Sequence, residues 1–410
     1  MNLTTKIFLA LLAGLAAGAV LPAAIGPTAL AIAEPLGLLW LQALQMTIIP
    51  LIAGLLFTGI AQSVGTAGGG KVAATALIAF LVLLLFSAVW AILFVPALLD
   101  IWPAPLQAAA AITGTATDAP ALGPINIGDW LLSLVPANIF KVLGAGDMLP
   151  VVVFISAFAL AATRLPEKQL AVLVDLFDAV KNAMLVLVGW IFIVAPIGVF
   201  ALALTVGLKA GVGAFGVLAH YIAVLVLVQV TLILLVYGLM ALFGGGAIPF
   251  ARAVLPAQTV AVSTQSSIAS LPAIYEGAES LAIPESVSRV VLPLAVSIFR
   301  ITSPCANIAV VLYVGHLNGI EPGLLALAAG VLAALAAAVS TGGLPGSITF
   351  LAATVPIANA MGIPIAALPL LLAVELVPDI FRTLGNVTAD LAVTAIISKR
   401  LKVETPAASS

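Results

Sequence analysis

Asp379, Arg382, Asn386 and Asp390 stand at i, i+3, i+7 and i+11 within an otherwise apolar run from Ile365 to Ile397. On a helix that spacing gathers them into one polar stripe. A charge at the centre of a bilayer costs about 2.5–3.5 kcal/mol on insertion scales. An apolar helix carrying three charges and an amide on one face must turn that face towards a polar interior. A substrate or ion site is the default reading of such a stripe, and a structural ion-pair network is the alternative.

The elements around the stripe must belong to a membrane protein. The chain is 63% hydrophobic and only 7% charged, which excludes an ordinary soluble protein. Its one cysteine, Cys305, excludes a disulfide framework and a cysteine-based metal cluster. A net charge of −2 is too small to imply a nucleic-acid partner. Lys6 ahead of an apolar run resembles a secretory signal, but many further spans follow and the first needs no removal. His220 and His316 lie in no H-E-x-x-H motif, and no G-x-S-x-G occurs, so the expectation is not an enzyme. Polar residues cluster in two breaks and two helices, without the continuous polar lining of a channel.

Two short motifs are decoys. Gly65 to Lys71 reads G-x-x-x-x-G-K, but Val72 stands where a phosphate loop needs Ser or Thr, and no strand precedes it. Asn386-Val387-Thr388 matches a glycosylation sequon but lies inside the last apolar segment.

Candidate spans cover 7–32, 36–63, 72–99, 129–162, 181–205 and 215–243, followed by an interrupted region from 246 to 398. Lysine and arginine are absent between Lys71 and Lys141, where Asp100, Asp118 and Asp129 occur; Lys399, Arg400 and Lys402 close the last helix. The positive-inside rule therefore places both termini in the cytoplasm and the 100–129 loop outside.

The interrupted region repeats itself. Ala261-Val262-Ser263-Thr264 recurs as Ala338-Val339-Ser340-Thr341, each opening a Ser/Gly-rich break with a proline, Pro272 and Pro345. An apolar helix bearing Ile-Phe-Arg follows each: Ile298-Phe299-Arg300, then Ile380-Phe381-Arg382. Breaks at corresponding places in two repeats are the strongest sequence pointer to a transporter site. Ser263–Ser270 and Ser340–Ser347 are too polar to span, so each is expected at the tip of a re-entrant helical hairpin. Free N–H groups and a half-helix dipole there favour a carboxylate.

These motifs resemble the dicarboxylate/amino acid:cation symporters, a family that includes glutamate transporters. Met46–Leu51, Pro136-Ala137-Asn138 with Leu149-Pro150, and Ala195–Phe200 are similar to its second-, fourth- and fifth-helix motifs. Ser263–Pro272 and Gly342–Gly346 resemble its two hairpins, and Arg382-Thr383, Asn386-Val387-Thr388 and Asp390 its last helix. The resemblance covers nearly the whole chain. It implies an all-α membrane protein of eight transmembrane helices plus two re-entrant hairpins, arranged as inverted repeats in a homotrimer. Residues 1–70 and 129–207 would form a scaffold; residues 71–100 and 213–402 would form a transport domain that slides like a lift.

By matched positions, Arg382 would bind the distal carboxylate of an anionic substrate, for which a planar guanidinium is suited. Asp379 would receive an α-amino group. Asn386 and amides near Ser266 and Ser267 would hold the α-carboxylate, with Ser303, Thr383, Gly343 and Pro345 as further contacts. The C4-dicarboxylate branch lacks an aspartate at the position of Asp379, which favours aspartate or glutamate over malate or succinate. No organic cofactor is expected; sodium or a proton would be the coupling ion.

The ion sites depart from the family pattern. Phe299-Arg300-Ile301-Thr302-Ser303 stands where the family carries N-M-D-G-T, and Leu83 and Phe86 replace a tyrosine and a threonine, leaving Ser87. One sodium site is expected to be dismantled. Asp390 and Asn386, which serve another, remain. Arg300 stands some eleven residues into its expected helix. It is read as a built-in cation facing Asp390, with coupling lost or passed to protons and Glu375 as one carrier. The alternatives are a contact with the substrate's second carboxylate or a side chain snorkelling towards an interface.

Overall fold

The computed structural model describes residues 3–22, 25–66, 70–105, 132, 135, 137–145, 148–340 and 346–401. Every regular element among them is an α-helix. In chain order these are α1 (Leu3–Val20), α2 (Gly26–Thr66), α3 (Gly70–Ile101), α4 (Ile139–Ala145), α5 (Met148–Ala162), α6 (Glu167–Ile193), α7 (Ala195–Ala210) and α8 (Gly213–Phe243). The interrupted region then supplies α9 (Ala247–Thr264), α10 (Ser267–Ser280), α11 (Glu285–Ile298), α12 (Thr302–Leu317), α13 (Leu324–Ser340), α14 (Gly346–Ala360), α15 (Leu368–Leu372) and α16 (Leu376–Leu401). Among the described residues five segments are long and apolar enough to cross a membrane, one of them α11 and α12 taken together across their break, or six if the bent pair α6–α7 is one span.

One face of α3 is buried, with Ala73, Ala76, Phe80, Leu84, Ala88, Ala91, Val95 and Leu99 on it, while Ile78, Leu81, Val82, Leu85 and Leu93 are exposed. The buried face is richer in alanine and the exposed one is made of large apolar side chains. Small residues let helices approach where lipid removes any hydrophobic drive between them, and large ones face the chains. The same rule joins α1 to α7. A methyl group added at Gly207 would lie 2.5 Å from the Leu15 carbonyl oxygen, and one at Gly18 would lie 2.5 Å from that of Leu204.

Several expected boundaries are corrected. The division between 7–32 and 36–63 falls instead at residues 21–25, and α2 runs unbroken through Pro35 and Pro50. Neighbouring helices α5, α6 and α7 pack along α2, and such neighbours make interior prolines tolerable in a membrane helix. The expected span 181–205 begins earlier and is cut at Val194, where α6 and α7 meet at 58°. Pro196 is the cause: it donates no N–H, and its ring opposes the carbonyl four residues back. The expected span 129–162 is divided between α4 and α5.

Both repeated breaks interrupt helices that fold back on each other, α9 on α10 and α13 on α14. The first is narrower than Ser263–Ser270. Gln265 takes a left-handed φ of 52°, and the Ser266 hydroxyl accepts from the Ala269 N–H at 3.2 Å, capping α10 so that the helix resumes at Ser267. In the second, residues 341–345 lie outside the described set, and Gly343 and Pro345 with them. A third break was not expected. The helix carrying Arg300 stops at Ile298 and restarts at Thr302, so Arg300 sits in a non-helical gap rather than inside a continuous helix.

Candidate functional site

The third break lies against α16, which packs on α3, α8, α9, α10, α11 and α12. Gly385 permits the approach of α12, because a methyl group there would stand 2.4 Å from the Thr302 methyl. The Thr302 N–H donates to Asn386 Oδ1 at 3.1 Å. Its hydroxyl lies 2.8 Å from the same oxygen and 2.9 Å from the Arg382 carbonyl, so one proton serves two acceptors. The backbone freed by the break is thus held by the polar stripe, which non-helical backbone at membrane depth requires.

All four stripe residues fall on α16 and all are buried: Asp379 at 8% exposure, Arg382 and Asn386 at 1%, Asp390 at 0%. Arg382 is paired from within the protein. Its Nη2 donates to Glu375 Oε1, and Glu375 Oε2 accepts from the Tyr221 hydroxyl at 3.1 Å. Asp379 Oδ1 is 3.7 Å from Arg382 Nη1, an ion pair too long for a hydrogen bond. Arg300 in its gap is within electrostatic reach of Asp379, Arg382 and Asp390, and it is the charged group that acts on Asp390.

Several buried polar atoms here make no hydrogen bond among the described residues. On the donor side these are Arg382 Nε and Nη1 and Asn386 Nδ2; on the acceptor side, both oxygens of Asp390. Buried groups of this kind are usually satisfied, and each exception asks for an explanation. Three unmatched donors on one face suit a carboxylate, and two unmatched acceptors suit a cation. Among the described residues no three His, Cys, Asp or Glu side chains come together as a metal centre.

The remaining expected contacts are placed as follows. Ser266 and Ser267 stand at the N-terminus of α10, a helix that packs on α16. The Ser303 hydroxyl accepts from Asn307 Nδ2 at 3.2 Å. The Thr383 hydroxyl donates to the Asp379 carbonyl at 3.0 Å. Phe299 is fully buried and stacked on Phe80 at 4.6 Å, Ser87 donates to its own helix at Leu84, and Phe86 is exposed. Tyr221 and Thr302 escaped sequence reasoning, since nothing local marks residues that meet α16 from so far along the chain. Glu375 carried a signal, seven residues before Arg382 and so two turns away, but its pairing with Arg382 was not foreseen.

A sequence model described as the sodium:dicarboxylate symporter family matches residues 3–400. The chain belongs to that family. Over 97% of its length it is 26% identical to a proton/sodium-glutamate symport protein of Geobacillus stearothermophilus, covering 94% of that protein. A C4-dicarboxylate transport protein of Deinococcus radiodurans is 28% identical over 97% of this chain and 89% of its own. A proton/glutamate-aspartate symporter of Escherichia coli is 25% identical over 89% of this chain and 84% of its own. The resemblance read from the helix motifs is therefore borne out, and the chain is a transport protein rather than an enzyme. Relatives named for glutamate symport and for C4-dicarboxylate transport stand at similar distance, so substrate choice turns on the site itself.

Proposed function

We infer that this symporter carries an acidic amino acid, aspartate or glutamate, with sodium coupling reduced or absent. One observation carries the substrate reading: Glu375 makes the hydrogen-bonded contact to Arg382, while Asp379 meets that guanidinium only in a 3.7 Å ion pair and keeps its hydrogen-bonding capacity for an ammonium group. Asp379 is also the most exposed of the three buried acids, at 8% against 3% for Glu375 and 0% for Asp390. The unmatched donors of Arg382 and Asn386 would take the two carboxylates, and amides at the start of α10 would complete the site.

Coupling follows from charge. Arg300 supplies Asp390 with a cation that never leaves, and the Phe299–Phe80 stack fills with aromatic surface a position where an ion would need oxygen ligands. In this reading α3 and α8–α16 move as a unit against α1, α2 and α4–α7, within a homotrimer in the cell's plasma (inner) membrane, with both termini cytoplasmic. The contacts support that division, with α1, α2, α6 and α7 packed on one another and most of the rest gathered on α16.

A second reading rests on Arg300. Two guanidinium groups within reach of one another match the two carboxylates of a C4-dicarboxylate. Uptake of labelled aspartate and labelled succinate into proteoliposomes decides between them. The amino-acid reading requires aspartate to enter and to compete with succinate in excess. Entry of succinate alone would establish the dicarboxylate reading instead.

A further inference from the structure

We propose that Glu375 is an internal stand-in for the substrate's carboxylate, and that substrate takes its place on Arg382 only as a proton is taken up by Glu375. The proposal rests on the substrate reading above.

Three observations carry it. Glu375 is 3% exposed and lies just before α16, and its Oε1 occupies Nη2 of Arg382, a residue itself 1% exposed. Nη1 and Nε of the same guanidinium have no hydrogen-bond acceptor among the described residues. The fork is thus half engaged by the protein and half open, and planar two-point recognition of a second carboxylate needs Nη2 released. Finally, Glu375 Oε2 accepts from Tyr221 at 3.1 Å, and a hydroxyl can serve either an ionised or a protonated carboxyl by rotating.

The exchange conserves charge. Before binding, Arg382 is balanced by the Glu375 carboxylate. Afterwards it is balanced by the substrate carboxylate, and Glu375 is a neutral acid carrying one proton from water on an oxygen. No bond but O–H is made, and nothing is oxidised or reduced. Binding without the proton would place two carboxylates on one buried guanidinium, beside Asp379 as a third. The groups that face Glu375 are Arg382 and Asp379 on α16 and Tyr221 on α8. Arg300 and Cys305 in turn face Arg382, and Tyr313 faces Tyr221.

The test is calorimetric titration of the purified full-length protein with aspartate, and with succinate, in two buffers of different ionisation enthalpy. At about pH 8, where the carboxylates of free substrates are fully ionised, wild type is expected to take up about one proton per substrate bound. Its affinity should weaken about tenfold per pH unit on the alkaline side, the slope for a single coupled proton. In Glu375→Gln the proton count should fall to that of the buffer and substrate alone, and the affinity should lose its pH dependence. Binding to wild type with no proton taken up overturns the proposal, whether or not the variant folds. So does an unchanged proton count in Glu375→Gln. Absence of binding by both substrates would overturn the substrate reading first, and this proposal with it.

Discussion

Thr302 and Asn386 are locked together across the third break, by one N–H···O bond of 3.1 Å and a hydroxyl contact of 2.8 Å to the same amide oxygen. The contact holds the start of α12 to the polar stripe of α16. Asn386→Leu would leave the Thr302 N–H buried and unmatched, at a cost of about 1–3 kcal/mol. Gly385→Ala would crowd the same contact from the side, with an overpacking cost of about 1–3 kcal/mol. Both variants are expected to unfold at lower temperature in detergent. Melting temperatures equal to wild type would show that the break is held elsewhere.

Arg382→Thr should weaken acidic substrates by about 2–5 kcal/mol, because a charge-assisted partner of their carboxylate is lost. It should also destabilise the protein by about 3–5 kcal/mol, since Glu375 is left buried without its cation. Adding Glu375→Gln should recover much of the stability but none of the affinity. Paired measurement of melting temperature and aspartate binding separates the two effects.

Asp379→Asn should penalise aspartate far more than succinate, since only aspartate carries an ammonium. The ratio of the two affinities is the readout. An equal loss for both would mean that Asp379 serves Arg382 or Arg300 and does not meet the substrate.

Uptake by wild type is expected to persist when sodium is replaced by potassium or choline. Arg300→Met removes the cation that faces Asp390, and sodium-free uptake should then disappear. Strict sodium dependence of wild type would refute the built-in cation directly.

Much of this protein was legible in its residues alone. The apolar composition required a membrane, and the charged stripe at helical spacing required a polar interior. The repeated Ala-Val-Ser-Thr and Ile-Phe-Arg strings marked two breaks and two arginines. These features are local or periodic, and a single segment carries enough energy to declare itself: a charged helix face in lipid is too costly to occur without purpose. Helix boundaries were less legible. Two spans were expected on either side of Pro35, yet α2 runs through it because neighbouring helices pack along it. Ser267–Ser270 read as loop, yet one serine cap restarts the helix. The pairing of charges lay beyond the sequence altogether. Arg382 could have met Asp379, Asp390 or a ligand by spacing alone; the turn between α15 and α16 and the arrival of Tyr221 from α8 direct it to Glu375. Which carboxylate a buried guanidinium chooses depends on distance and on the hydroxyl behind the acid, and only the packed helices set those.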